Sequence, residues 1–343
     1  MVTIKNRARR IAFSTVLICI WFMGTTVDKT WAQTPVPGNA VSPSGGFTKL
    51  PTAEMPDPLD PEQGWIPSCS AEFPSIPVIC YTKRDLVLLG GEDEETIIFD
   101  YTYDKCCTDD LPDMPAHAFR DPMGMVNLLA THYVNIKMIG YDFDSLERDC
   151  NVLVYSAHDP YPYNYNDCTW LWSHWIEPGT SIVHSLAHME YQGHKYPGFC
   201  GCSSGYFDCL WGAIVWAASI DGGKHFGCPL PPDNLILTVP YVYEPNVGSW
   251  IGTVNPSNII MKDGYYYLAF AVAGSMKDGT SYKSLRSGWS MMRTDNLNIP
   301  SHWRIWDGEG FNMKPIHPYT TVPYHPKDHI PAILSYGTLS TSG

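Results

Sequence analysis

The sequence contains no G-x-x-x-x-G-K-[ST] phosphate loop, no G-x-G-x-x-G following a strand and no H-E-x-x-H helix. Nucleoside triphosphate, dinucleotide and zincin-type chemistry therefore lack their usual supports. Basic residues are scarce. The 343 residues hold 22 Lys+Arg against 35 Asp+Glu, a net charge of −13, so no basic groove for nucleic acid is expected. No N-x-[ST] sequon occurs, because Asn255 is followed by proline. Beyond the N-terminus no run is long and apolar enough to span a bilayer, which needs roughly 20 residues.

The N-terminus reads as a secretory signal. Lys5, Arg7, Arg9 and Arg10 precede the apolar stretch Ile11–Gly24, and Thr30-Trp31-Ala32 offers a cleavage site. Loss of residues 1–32, with five basic and one acidic residue, leaves 17 Lys+Arg against 34 Asp+Glu, a net charge of −17. Such a surface predicts an extracellular protein with no nucleic-acid partner and, once the signal is removed, no membrane partner. Of eleven cysteines one, Cys19, lies in the signal. The even remainder predicts disulfides, with adjacent Cys106 and Cys107 bonded to different partners and the pairing otherwise open.

Residues 33–66 are rich in proline and small polar residues and read as a disordered leader; residues 67–343 read as one all-β domain. Short β-type runs separated by Gly, Pro and Asp turns recur, among them Thr96–Tyr101, Val126–His132, Asn151–Ser156, Ser181–Met189, Ala213–Ser219, Asn258–Met261, Tyr265–Ala271 and Gly288–Arg293, with Val78–Tyr81 and Leu86–Leu89 before them. Ser219-Ile-Asp-Gly-Gly-Lys-His-Phe226 is the sharpest signal. Asp221 can accept N–H bonds across its own turn, Gly222 and Gly223 supply φ > 0, and Phe226 is expected to face inward. Asp263-Gly264 before an alternating Tyr-rich run reads as a second tight hairpin, and Asp144 and Asp295 sit in comparable turns.

Ser219–Phe226 resembles the Asp-box of the sialidases and related β-propellers. Arg120-Asp121-Pro122 and Asp263-Gly264-Tyr-Tyr-Tyr resemble elements of the five-bladed glycosidases that act on arabinans, xylans and fructans. The resemblance implies a β-propeller of four-stranded blades, five-bladed and incomplete at the C-terminus or closed by N-terminal strands. Segments near 76–106, 117–156, 167–228 and 255–306 are the expected blades. The sialidase arginine triad is not found in this sequence, and Asp221 is read as structural.

The same resemblance implies a glycan substrate and acidic residues in a central funnel. Asp121 is the expected base or nucleophile. Glu190, in His188-Met-Glu190-Tyr191-Gln192, is the expected general acid, its pKa raised in a pocket lined by Tyr191 and tryptophans. Asp167, ahead of an aromatic strand, is the expected modulator of that acid. Arg120, His132, His188, Tyr191 and Asn258 are candidate sugar contacts, and a non-catalytic carbohydrate- or protein-binding propeller is the alternative. Seven histidines between His117 and His194 raise a metal site, but their strand-like setting argues against a catalytic one. No cofactor is required, although Ca²⁺ in the funnel is compatible with the acidic residues.

Overall fold

The computed structural model describes residues 2–6, 94–201, 205–276 and 278–335. Most of the proposed signal, the leader, and the candidate strands Val78–Tyr81 and Leu86–Leu89 lie outside the described residues, as does most of the expected blade near 76–106. The described chain is mostly β-sheet. Its only α-helical segment is the single turn Tyr101–Asp104, and no helix among these residues is long and apolar enough to cross a membrane.

Two strands, β1 (Val2–Asn6) and β2 (Glu94–Phe99), pair antiparallel. Three units follow, the first a separate four-stranded sheet and the second and third, of four and five strands, parts of one nine-stranded sheet. The first is the meander β3 (His117–Arg120), β4 (Val126–Leu129), β5 (Val134–Gly140) and β6 (Glu147–Tyr155). The second is the meander β7 (Cys168–Ile176), β8 (Val183–Gln192), β9 (Leu210–Ser219) and β10 (Leu235–Thr238). The third places β11 (Ile251–Val254) and β12 (Ile260–Lys262) successively on one edge of β13 (Tyr265–Ala273), with β14 (Gly288–Thr294) and β15 (Arg304–Ile305) beyond. The second unit thus reaches Thr238 rather than 228. Strands β3, β5, β10, β11 and β15 were absent from the sequence expectation because each is short or interrupted by polar residues, and β1 because it falls within the proposed signal.

Local chemistry explains the turns. Asp263 (φ +51°) and Gly264 (φ +79°) form the positive-φ pair a two-residue hairpin needs between β12 and β13. In the Ser219–Phe226 turn, the Ser219 hydroxyl donates to Asp221 Oδ1 (2.7 Å), which also accepts the N–H groups of Lys224 and His225 (3.1 Å each). Gly223, at φ +84°, approaches Phe119 so closely that a Cβ would lie 2.5 Å from Cζ. Buried Lys137 donates to Gly223 O (2.9 Å) and to Asn127 Oδ1 (2.7 Å), tying the first unit to this turn. The β5–β6 turn is held by Asp142, which accepts the Ser145 N–H (2.9 Å), rather than by Asp144.

Every residue of β8 and of β9 is buried. The two strands are therefore covered on both faces, as the apolar run Leu210–Ser219 requires. The second and third units join where β11 runs parallel to the start of β9, Gly252 opposite Gly212. A Cβ on Gly252 (φ +146°) would stand 2.3 Å from the Gly212 nitrogen.

Disulfides link Cys106 to Cys150 and Cys200 to Cys209. Cys107 is also disulfide-bonded, so it and Cys106 have different partners. Cys168 and Cys228 are free, which departs from the expectation that all ten pair. Gly252→Ala combines a backbone clash with an unfavourable φ and should lower unfolding free energy by about 2–4 kcal/mol. Urea denaturation measures it; an unchanged midpoint would show that the crossing is not tight.

Candidate active site

Strand β8 reads Val-His-Ser-Leu-Ala-His-Met-Glu-Tyr-Gln, and its period of two sends His188, Glu190 and Gln192 to one face. Burying that face demands a partner for each polar atom. His188 Nε2 donates to Glu190 Oε1 (3.1 Å). Glu190 Oε2 accepts from the Tyr206 hydroxyl (2.8 Å) and from Gln192 Nε2 (3.1 Å). On the far side of the imidazole, the Asn255 backbone N–H reaches Nδ1 at 3.3 Å and the Asn255 side-chain amide stands 3.1 Å away. Asn255 has φ +51°, and the kink there separates β11 from β12. The His188 ring stacks on Trp172 (5.3 Å), meets Trp170 edge-on (5.4 Å) and lies against Trp250 (5.8 Å).

Asp167 is fully buried immediately before β7. Its Oδ2 accepts the Gln192 N–H (2.8 Å) and its Oδ1 the Tyr196 hydroxyl (2.6 Å). Asp167 thus holds the same Gln192 whose side chain donates to Glu190. His132 is at this end too, its ring 5.7 Å from Trp170 and its Nε2 3.7 Å from Asp113 Oδ2. Burial lowers the His132 pKa, against the pull of Asp113.

Asp121 is elsewhere. Its Oδ1 accepts the N–H groups of Met123 (2.9 Å) and Met125 (3.0 Å), so it caps its own turn. Arg120 spans that turn, donating to Gly124 O (2.7 Å) and Tyr141 O (3.1 Å). Pro122 packs on Gly222, whose Cβ would lie 3.2 Å from the proline Cδ, next to the start of β8. Seven residues of extended strand, roughly 23 Å at 3.3 Å each, run from Val183 to Glu190. The expected pairing of Asp121 with Glu190 therefore fails: the two stand at opposite ends of the sheets.

Two further expectations are corrected. Burial does push the Glu190 carboxyl up, but His188, Tyr206 and Gln192 together outweigh it and hold the pKa below the usual glutamate value. Glu190 is thus ionised near neutrality, not poised as a protonated acid. Tyr191 points to the other face of β8, donates to Pro160 O (2.8 Å) and packs on Tyr196 and Tyr243, so it belongs to the core. Asn258 lies apart, 2.5 Å from His117 Nδ1, where β3 approaches the β11–β12 segment.

The histidines do not gather. His174 is enclosed by Phe119 and Phe226, and burial lowers its pKa to about 3. His184 pairs with Glu177 (2.9 Å). Tyr206 was missed by sequence reasoning because it lies 14 positions beyond Gln192 in a Gly- and Ser-rich loop, with no periodic signal.

A depressed folded-state pKa makes the Glu190 contribution to stability complete above the unfolded value and lost as pH falls through the folded one. Relative to Glu190→Gln, the wild type should be more stable by about 1–3 kcal/mol at pH 7. The gap should shrink on acidification through and below the usual glutamate range, as read by denaturation midpoints; a pH-independent gap would contradict the ionised assignment.

No protein-family model matches the chain, and no curated protein matches it. Among solved structures it is similar to the catalytic domain of the Coprinopsis cinerea GH62 alpha-L-arabinofuranosidase, at 10% identity and a TM-score of 0.32, over 59% of this chain and 56% of that one. It is also similar to the inulosucrase from Halalkalicoccus jeotgali bound to kestose, at 16% identity and a TM-score of 0.29, over 58% and 51%. The chain spans about half the length of these neighbours, and likeness at this level carries no functional argument.

Proposed function

We propose that the chain is a secreted, glycosidase-like β-propeller that cleaves an extracellular glycan at the β8 end of its second blade, with Glu190 as the ionised carboxylate. The observation that carries the reading is Glu190 itself. It is a nearly buried carboxylate held by three donors, one of which, Tyr206, leaves 39% of its surface exposed beside Phe207, exposed by 55%. Exposed aromatic faces next to a fixed carboxylate suit a sugar ring, whose C–H face stacks while its hydroxyls hydrogen-bond.

The propeller arrangement draws support from the first strands of the three units. His117 on β3 lies 6.1 Å from the Trp172 ring on β7 and bonds Asn258, while Ser173 donates to Pro256 O (3.1 Å). These contacts set β3, β7 and residues 256–258 against one another and support a common line at which the units meet, and residues 67–343 are proposed as one domain. Secretion is proposed from the signal at 1–32, whose removal would also take away β1, and agrees with the disulfides Cys106–Cys150 and Cys200–Cys209, which an oxidising compartment favours.

In this reading Glu190 acts as nucleophile or base, and Asp167 is a positioning residue acting through Gln192. His132, whose pKa burial lowers, is left as a neutral contact for a sugar hydroxyl at this end of β8. His188 orients Glu190, and Asn258 is left as a hydroxyl contact nearer the common line.

Glu190→Gln should lower glycan cleavage by at least about 100-fold while binding persists, measured as reducing-end release and as retention on a panel of polysaccharides. Tyr206→Ala should weaken binding as well as cleavage. A wild-type protein that binds a glycan without releasing product, with binding unaffected by Glu190→Gln, would replace hydrolysis by plain carbohydrate recognition.

A further inference from the structure

Beside the Glu190 network stands a cluster of ligating atoms that it touches only through Asp167, whose Oδ2 serves Gln192 while Oδ1 belongs to the cluster. His158 Nδ1, Asp167 Oδ1 and Cys168 Sγ form a triangle with edges of 3.4 Å (N–O), 3.7 Å (N–S) and 3.5 Å (O–S). We propose that these three atoms are one face of a tetrahedral site for a zinc-class divalent ion, with the fourth position open.

The geometry follows from bond lengths. Ligands at about 2.05 Å (His N), 2.1 Å (Asp O) and 2.3 Å (Cys S) around a tetrahedral ion stand roughly 3.4, 3.6 and 3.6 Å apart. The triangle already has these edges, so an ion enters without rearranging the backbone. Asp167 and Cys168 are fully buried, and His158 adopts φ +52°, a backbone state uncommon outside glycine. Tyr196 and the Gln192 N–H fix the Asp167 carboxylate from outside, as supporting groups do around metal ligands. Cys168 is also a free, fully buried cysteine in a chain that pairs others as disulfides.

Lys195 opposes a dication, since its Nζ lies 3.8 Å from Cys168 Sγ. It is an exposed residue on the short turn after β8 and can swing into solvent. Binding exchanges the Cys168 S–H bond for an S–metal bond and releases one proton to solvent. The site goes beyond the glycan reading, because Glu190, His188 and Tyr206 are not ligands.

Cobalt titration of the full secreted protein after chelator treatment tests the assignment. The expected spectrum has a thiolate-to-cobalt charge-transfer band and the strong visible bands of a tetrahedral ion, saturating stoichiometrically and bleached by Zn²⁺. Cys168→Ser should abolish the charge-transfer band and weaken Zn²⁺ binding by more than about 100-fold, with His158→Ala similar in affinity and Cys228→Ser unchanged. No such band in the wild type, or a band that survives Cys168→Ser, overturns the site. Glu190→Gln should keep the band whether or not glycans are cleaved, so the two readings fail separately.

Discussion

A strand buried along its whole length cannot carry an imidazole, a carboxylate and an amide on one face unless all three are bonded. That constraint on β8 organises the rest of the site. His188, Glu190 and Gln192 satisfy one another in turn, and the ends of the chain of bonds are closed by Asn255, Tyr206 and Asp167, each from a different segment. Because an unpaired buried polar group costs about 1–3 kcal/mol, the network and the packing of three segments around β8 stand together.

The same network decides the charge of Glu190. Burial alone favours the neutral acid, which is the basis on which an apolar pocket suggests a proton donor. Donors aimed at the ionised form work in the opposite direction, and here three of them prevail. The outcome depends on where the Tyr206 hydroxyl and the His188 Nε2 point, and linear sequence carries neither. Asp121 shows a related limit. An aspartate before proline fits both a funnel acid and a turn cap, and only the bonds to Met123 and Met125 N–H select the cap.

Cysteine counting met a similar boundary. An even number in an oxidising context argues for full pairing, and for Cys106 and Cys200 the partners are found. Cys168 escapes because β7 carries it into the interior beside His158 and Asp167, with no disulfide partner among the described residues. Asp167 then faces two ways, one oxygen toward Gln192 and so toward Glu190, the other toward the sulfur and imidazole.

The order of residues was enough to specify the all-β character, the Asp221 and Asp263-Gly264 turns and the apolar strand at Ala213–Ser219. These depend on short-range chemistry: a carboxylate beside its own turn, glycine at positive φ, an unbroken apolar run. The polar stripe of β8 was also legible through its alternation, so Glu190 and His188 could be named together. Which carboxylates meet, what charge they hold and which cysteines stay free were decided by tertiary structure. Strand register and the packing of β3, β7 and β11 bring together residues up to 141 positions apart, as His117 and Asn258 are, and no local pattern encodes such a contact.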